Sequence, residues 1–230
     1  SQSSGTFHHS LILGSLVESA SDKIGAHGLA ARVAAYYHDI GKALRPEYFV
    51  ENQLHGINRH DQTTPQLSAK IIVSHVKEGH VLAEKFKLGS QITAFIDQHH
   101  GSSVVQYFYS KAKQQAAKPG EELDEIVVEE AEFRYPGPKP QTREVAILAL
   151  ADCCEAATRS LVDPTPARLE SMVSKIVMKF LDEGMLDESE ITLREVFLVK
   201  AAFLRILLGI YHNRIQYPDQ EKGLAPRLVK

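Results

Sequence analysis

Cysteine is almost missing from this sequence. Its 230 residues hold two, Cys153 and Cys154, side by side in an apolar stretch. Neighbouring residues do not easily reach disulfide geometry, so a disulfide scaffold is excluded and a thiolate metal site is disfavoured. A strong charge of either sign is missing as well. Against 29 acidic residues stand 26 basic ones, a net charge of -3. No global basic field therefore draws DNA or RNA duplexes, and any attraction for an anion has to be local. No apolar run reaches the roughly 18 residues that a membrane-spanning helix needs, and no secretory signal is visible. The chain opens SQSSGTF without an initiator methionine, as a piece of a longer protein would, which leaves room for a membrane anchor upstream. Alternating strand patterns are scarce, with one weak candidate at Ile126 to Glu130, and there is no internal repeat or domain linker. The expectation is one all-α domain over residues 1–230, of cytoplasmic type, with an irregular, proline-rich segment at about 119–141.

Helix signals occupy the rest. Thr6 is placed to cap a helix over about Phe7 to Ile24, with Leu11, Leu13, Leu16 and Val17 on its buried side and Gly25 as its stop. An alanine-rich helix from about Leu29 to Asp39 ends at Gly41, and Pro46 resists continuation. The polar stretch Glu51 to Pro65 reads as a long loop, a length that usually carries function. Helical period returns over Gln66 to Glu78, with a break expected at Gly79 and a continuation from His80 to Phe86. Ser90 is a cap for Gln91 to His100, closed by Gly101. The stretch from about Lys111 to Asp124 is charged and poor in apolar residues, and three prolines make EFRYPGPKPQT irregular. Thr142 caps Arg143 to Leu161, and Pro166 and Gly184 bracket the next helix. Thr192 to Glu195 form a capping box that opens a helix to about Ile215.

What is there in excess is histidine, 11 residues in all, scattered and often on apolar faces. A single histidine on a helix is usually packing, and His27, His55, His80 and His212 are read that way. Others form a set. His9 lies in the first helix and the pair His38-Asp39 closes the second. His75 shares the inward face of Ile71 and Ile72, His99-His100 ends the helix carrying Phe95 and Ile96, and Asp152 sits inside ILALADCCEAA. Asp152 alone could be satisfied by local hydrogen bonds or by Arg159. Imidazoles and carboxylates on the inner faces of five helices are together better explained by a metal site in a bundle interior.

The order H…HD…H…HH…D resembles the HD superfamily of metal-dependent phosphohydrolases. More closely, HDIGK, ENQ, HDQTTPQLSAKIIVSHVKEG, QHHG, FRYPGPKPQT, LADCCEAATRSL and GIYHNRIQYP resemble the cytoplasmic HD domain of bacterial seven-transmembrane HD proteins, the PgpH-type cyclic di-AMP phosphodiesterases. The resemblance implies an all-α, single-domain HD-type helical bundle. It implies hydrolysis of cyclic di-AMP to pApA through a dinuclear metal centre and a bridging hydroxide. His9, His38, Asp39, His75, His99, His100 and Asp152 would hold two divalent transition-metal ions, Fe or Mn foremost, with Asp39 bridging them. It also implies a full-length protein in the bacterial cell membrane, with a homodimer as a further expectation. Related sequences have one histidine before Ser10 where this chain has His8 and His9, and His9 is assigned because it adjoins the serine. His100 is followed by Gly101-Ser102-Ser103-Val104 rather than the GYP signature of cyclic di-GMP-cleaving relatives, and Arg59 stands where proline is expected.

Neutral imidazoles with a few carboxylates suit Fe, Mn, Co or Zn better than Mg. Two such ions about 3.5–4 Å apart can acidify a shared water and neutralise charge on a phosphoryl group. Lys42, just beyond Gly41, points at the same mouth and is assigned to the phosphate or the leaving 3′-oxygen; the plain alternative is a solvated lysine at a helix C-terminus. His60, Asp61, Arg134, Lys139, Arg159, His212 and Arg214 are second-tier residues for substrate contact or ligand orientation, and Tyr107 and Tyr109 could stack on adenine. Two other functions stay open: cleavage of another nucleotide (cyclic di-GMP, an alarmone or a nucleoside monophosphate) and non-catalytic nucleotide sensing. The intact ligand set and Lys42 weigh against the last.

Overall fold

The computed structural model describes residues 3–53, 58–118, 122–123 and 126–212. Eight α-helices are present among them: α1 (Ser4–Lys23), α2 (Gly28–Tyr37), α3 (Pro65–Lys85), α4 (Ser90–Gln98), α5 (Gln106–Ala116), α6 (Arg143–Arg159), α7 (Pro166–Asp182) and α8 (Leu193–His212). Short 3-10 turns follow α2 and precede α3, and another covers Glu130–Phe133. Residues 126–129 form no strand; the weak candidate there is an irregular segment. Among the described residues no helix is long and apolar enough to cross a membrane.

α6 is the axis of the main core. Val145 to Ala151 are all buried, so this helix has no solvent face over two turns. Around it pack Leu13, Leu16 and Val17 of α1, Ala34 and Ala35 of α2, Phe95 of α4, Val173 and Val177 of α7, and Val199 and Phe203 of α8. Each fully buried leucine, valine or phenylalanine stabilises the fold by about 1.5–3 kcal/mol, a reserve against which buried polar groups can be carried. Local signals hold the surrounding helices. Thr142 and Thr165 accept hydrogen bonds from Val145 N and Arg168 N, and Thr192 and Glu195 exchange the two bonds of a capping box, at 3.2 and 2.8 Å.

A smaller cluster joins Ala69 of α3, Phe108 and Ala112 of α5, and Phe133. α5 is a helix for which the sequence carried no signal: it runs into the start of the charged stretch, with Phe108 and Ala112 buried. Gly79 is a correction to the expected break. α3 runs through it unbroken, because that glycine is there for close approach. A Cβ on Gly41 would lie 1.9 Å from the carbonyl oxygen of His75 and 2.6 Å from the nitrogen of Gly79, and one on Gly79 would press Ile96 at 2.8 Å. The pair of glycines lets the turn after α2 sit directly on α3. Two caps also move. Thr6 lies inside α1 and exchanges hydrogen bonds with Asn52, while Gly89, at φ +88, rather than Ser90 precedes α4. The end of the last helix at Ile215, and Arg214 and His55, lie outside the described residues, as does the side chain of His212.

Candidate metal centre

Asp39 is the hub. It follows His38, the residue at the end of α2, and the Gly41–Gly79 contact brings it against α3. Its Oδ1 lies 3.2 Å from His75 Nε2 and 3.7 Å from His99 Nε2. Its Oδ2 lies 3.1 Å from His38 Nε2 and 2.7 Å from Lys42 Nζ. On the far side, His9 Nε2 approaches Asp152 Oδ1 at 3.1 Å, and His100 Nδ1 approaches Asp152 Oδ2 at 3.9 Å. One atom each from Asp39, His75, His99 and His100 forms a compact set, and so does one each from His9, His38 and Asp39. His9 is 2% exposed, whereas its neighbour His8 faces solvent.

The backbone fixes which nitrogens face inward. The Nδ1–H groups of His38, His75 and His99 donate to the carbonyls of Ala35, Ile72 and Ile96 at 2.7, 2.6 and 2.8 Å. A carbonyl can only accept, so Nδ1 carries the hydrogen and Nε2 keeps its lone pair. The Nε2 atoms of His75 and His99 then face each other at 3.3 Å, where two lone pairs repel and a shared metal ion or proton relieves them. His9 Nε2, His38 Nε2 and both oxygens of Asp39 are buried without a hydrogen-bond partner; the short approaches among them lack hydrogen-bond alignment. A buried polar atom left so costs about 1–3 kcal/mol. Orphaned lone pairs converging from several helices, all nitrogen and oxygen, are a donor set fit for divalent transition metals.

Charge at the centre follows from the same neighbours. Burial works against ionisation of Asp39, but His38 and Lys42 hold its carboxyl well below the usual range; Asp152 is held low in the same way by His9 and His100. Burial would also discharge His9, yet the Asp152 and Glu155 carboxylates outweigh it and lift its pKa to about 10. His100 goes the other way. Burial, with His99 and His75 beside it, pushes it well below its ordinary value. Lys42 stays cationic despite burial because Asp39 and Glu51 flank it, Glu51 at 3.0 Å.

Three contributors escaped the sequence reading. Glu155, 2% exposed, takes a 2.6 Å hydrogen bond from His9 Nδ1. Its i+3 spacing from Asp152 within an apolar helix was the available signal. Glu51 joins Lys42 to Thr6, and the Tyr135 ring stacks on His100 at 4.2 Å between centroids. The second-tier residues divide. Arg159 lines the cleft over the centre, with Lys42, Phe49, Glu51 and Tyr135. Arg134 does not: it pairs with Glu130 and the carbonyl of Ser102 on an outer groove. Lys139 donates to the Gly184 carbonyl, Asp61 is exposed, Tyr109 packs on Phe133, and His60 and Tyr107 line a separate cavity beside the cleft.

An all-helical bundle whose interior gathers a His-Asp pair with four further histidines and an aspartate has a counterpart among known proteins. The HD domain family matches residues 6–157, and the chain belongs to that family. The cyclic-di-AMP phosphodiesterase PgpH of Bacillus subtilis (strain 168) is 44% identical over 218 residues, covering 95% of this chain and 29% of the relative. PgpH of Listeria monocytogenes is 46% identical over 218 residues, covering 94% and 29%. The chain thus spans less than a third of the length of these curated relatives. The crystal structure of the Listeria monocytogenes PgpH HD domain superposes with a TM-score of 0.84 at 43% identity, covering 92% of this chain and 95% of that one. The same domain in complex with cyclic di-AMP gives 0.85 at 43% identity, covering 91% and 94%.

Proposed function

We propose that this chain is a metal-dependent phosphodiesterase that hydrolyses cyclic di-AMP to pApA at the Asp39 centre. The observation that carries the reading is the convergence of inward-facing, hydrogen-free nitrogens on the two oxygens of one buried aspartate. The relatives named for this activity, and the complex of a close structural relative with cyclic di-AMP, supply the substrate. His75, His99 and His100 with Asp39 Oδ1 would hold one cation, His9 and His38 with Asp39 Oδ2 the other, and Asp152 lies between His9 and His100 to complete them. Fe or Mn suits this donor set, and when bound such ions supply Lewis acidity to phosphoryl oxygens and acidify water.

The protein's own groups do the rest. Glu155 holds His9 in one orientation through its Nδ1–H, as carboxylates behind metal-binding histidines do. Phe49 and Tyr135 line the cleft and limit water around the reacting phosphorus. Lys42 and Arg159 provide the local positive charge that a protein of net charge -3 needs to draw a phosphodiester. In the reaction one water adds to phosphorus, the bond from phosphorus to a 3′-oxygen breaks, and that oxygen takes a proton. The product is linear, with one 5′-phosphate and one 3′-hydroxyl.

Elemental analysis of the purified chain, and chromatography of cyclic di-AMP after incubation with Mn-loaded protein, test this directly. Stoichiometric metal and accumulation of pApA are expected. Metal-loaded protein that leaves cyclic di-AMP, cyclic di-GMP and guanosine alarmones intact would overturn the enzymatic reading in favour of a sensor.

A further inference from the structure

The cleft over the metal centre is too small for the proposed substrate. It encloses about 210 Å³, below the range of roughly 300–1,000 Å³ in which sites for ligands of drug size fall. A cyclic dinucleotide carries two nucleosides and must extend beyond it. The cavity that shares a wall with the cleft, through Phe49, Val50 and Glu51, encloses about 450 Å³. Its character is different. Tyr107, Phe108 and His60 form its aromatic side and Gln53 and Asn58 bring carboxamides, and among the described residues no lysine or arginine lines it. A phosphate has no reason to lie there; a flat, neutral, hydrogen-bonding ring does.

The aromatic side is built in layers. His60, 4% exposed, donates Nε2–H to the Tyr48 carbonyl at 2.8 Å and packs its ring on Phe108 with centroids 4.7 Å apart. This firm backing carries Tyr107, whose ring meets Phe108 edge-on at 5.1 Å and is itself 65% exposed. An exposed tyrosine on a rigid aromatic base is a stacking platform. The two hydrogen bonds that Gln53 Nε2 donates, to Glu47 O and Asn58 Oδ1, are long at 3.3 and 3.4 Å, so its amide can turn to a ligand at small cost. A glutamine or asparagine amide matches the N6 donor and N7 acceptor of adenine together, whereas guanine presents two acceptors along that edge.

We propose that this cavity holds one adenine ring of the substrate, stacked on Tyr107, with the Gln53 carboxamide reading its N6–N7 edge. The proposal rests on the cyclic dinucleotide reading above and assigns base selectivity to a place outside the metal centre.

The test compares cyclic di-AMP, cyclic di-GMP and bis(4-nitrophenyl) phosphate, a diester without bases, on the metal-loaded wild type and on Tyr107→Ala, Tyr107→Phe and Gln53→Ala. Tyr107 is exposed, so its replacement does not endanger the fold. The ratio of kcat/KM for cyclic di-AMP to that for the base-free diester is expected to fall roughly tenfold in Tyr107→Ala through KM, since one stacked base is worth about that much. Tyr107→Phe should restore it, and Gln53→Ala should narrow the preference for cyclic di-AMP over cyclic di-GMP. A wild type that cleaves cyclic di-AMP while Tyr107→Ala leaves the ratio unchanged would overturn this subsite and leave the enzymatic reading standing. A wild type that does not cleave cyclic di-AMP would overturn both.

Discussion

The two sides of Asp39 are built from different material. Toward α1 and α6 the neighbours are carboxylates: Asp152 and Glu155 sandwich His9 at 3.1 and 2.6 Å. Toward α3 and α4 the neighbours are rings, with His75, His99 and His100 packed on one another, on Phe49 and on Tyr135. The consequence is opposite local fields a few ångströms apart. Before any cation binds, the first side raises the pKa of His9 and the second lowers that of His100. Two cations held as proposed above would meet unequal surroundings, the acidic side offering charge and the aromatic side offering desolvated nitrogen.

The largest effect should come from removing what the sides share. Asp39→Ala is expected to abolish bound metal on both sides and to lower kcat by on the order of a thousandfold or more; elemental analysis with steady-state kinetics checks it, and a variant retaining metal would break the picture of a common hub. Next come the single-sided changes. His9→Ala and His75→Ala should each strip metal from one side while leaving the other loaded, which Mn electron paramagnetic resonance distinguishes as loss of coupling without loss of all signal. Glu155→Gln keeps a hydrogen-bond acceptor for His9 but removes the charge behind it. A fall in metal affinity of about 10–100-fold is expected, confined to the acidic side, measured by competition with a chromophoric chelator; equal weakening of both sides would erase the distinction.

The smallest effect concerns His60, on the aromatic side beyond the ligands. Burial lowers its pKa below the ordinary 6.5, partly opposed by the Tyr48 carbonyl. In the pH window below 6.5 the unfolded chain therefore binds the extra proton more readily than the fold does. The stability this neutral histidine contributes is present above 6.5 and is lost as pH falls from there toward the depressed value. Denaturation midpoints at about pH 7.5 and 5.5 should drop more on acidification for wild type than for His60→Phe; parallel drops would remove His60 from the account.

Much of this was legible in the chain. Helices α1, α2, α4, α6, α7 and α8 follow from caps, glycine stops and apolar period, and the histidines and aspartates of the centre stand out because their neighbours are apolar. What escaped notice did so for physical reasons. α5 carries few apolar residues beyond its first turn, and the packing of Phe108 and Ala112 with Ala69 and Phe133 accounts for its place in the fold. Gly79 looks like a helix breaker until Gly41 is placed against it. Glu155 looks like an ordinary helix acid until His9, 146 residues away, arrives at its carboxylate. Arg134 and Lys139 looked free for a phosphate but are spent on Glu130, Ser102 and Gly184.

Residue order alone determined the helical class and the kinds of atoms available for a cation, because helix period, capping and side-chain chemistry are local properties. Which nitrogen of each ring turns inward, which carboxylate stands behind His9, and where a base can lie were decided by packing. Those choices depend on distances between segments remote in the chain, and no local pattern encodes them.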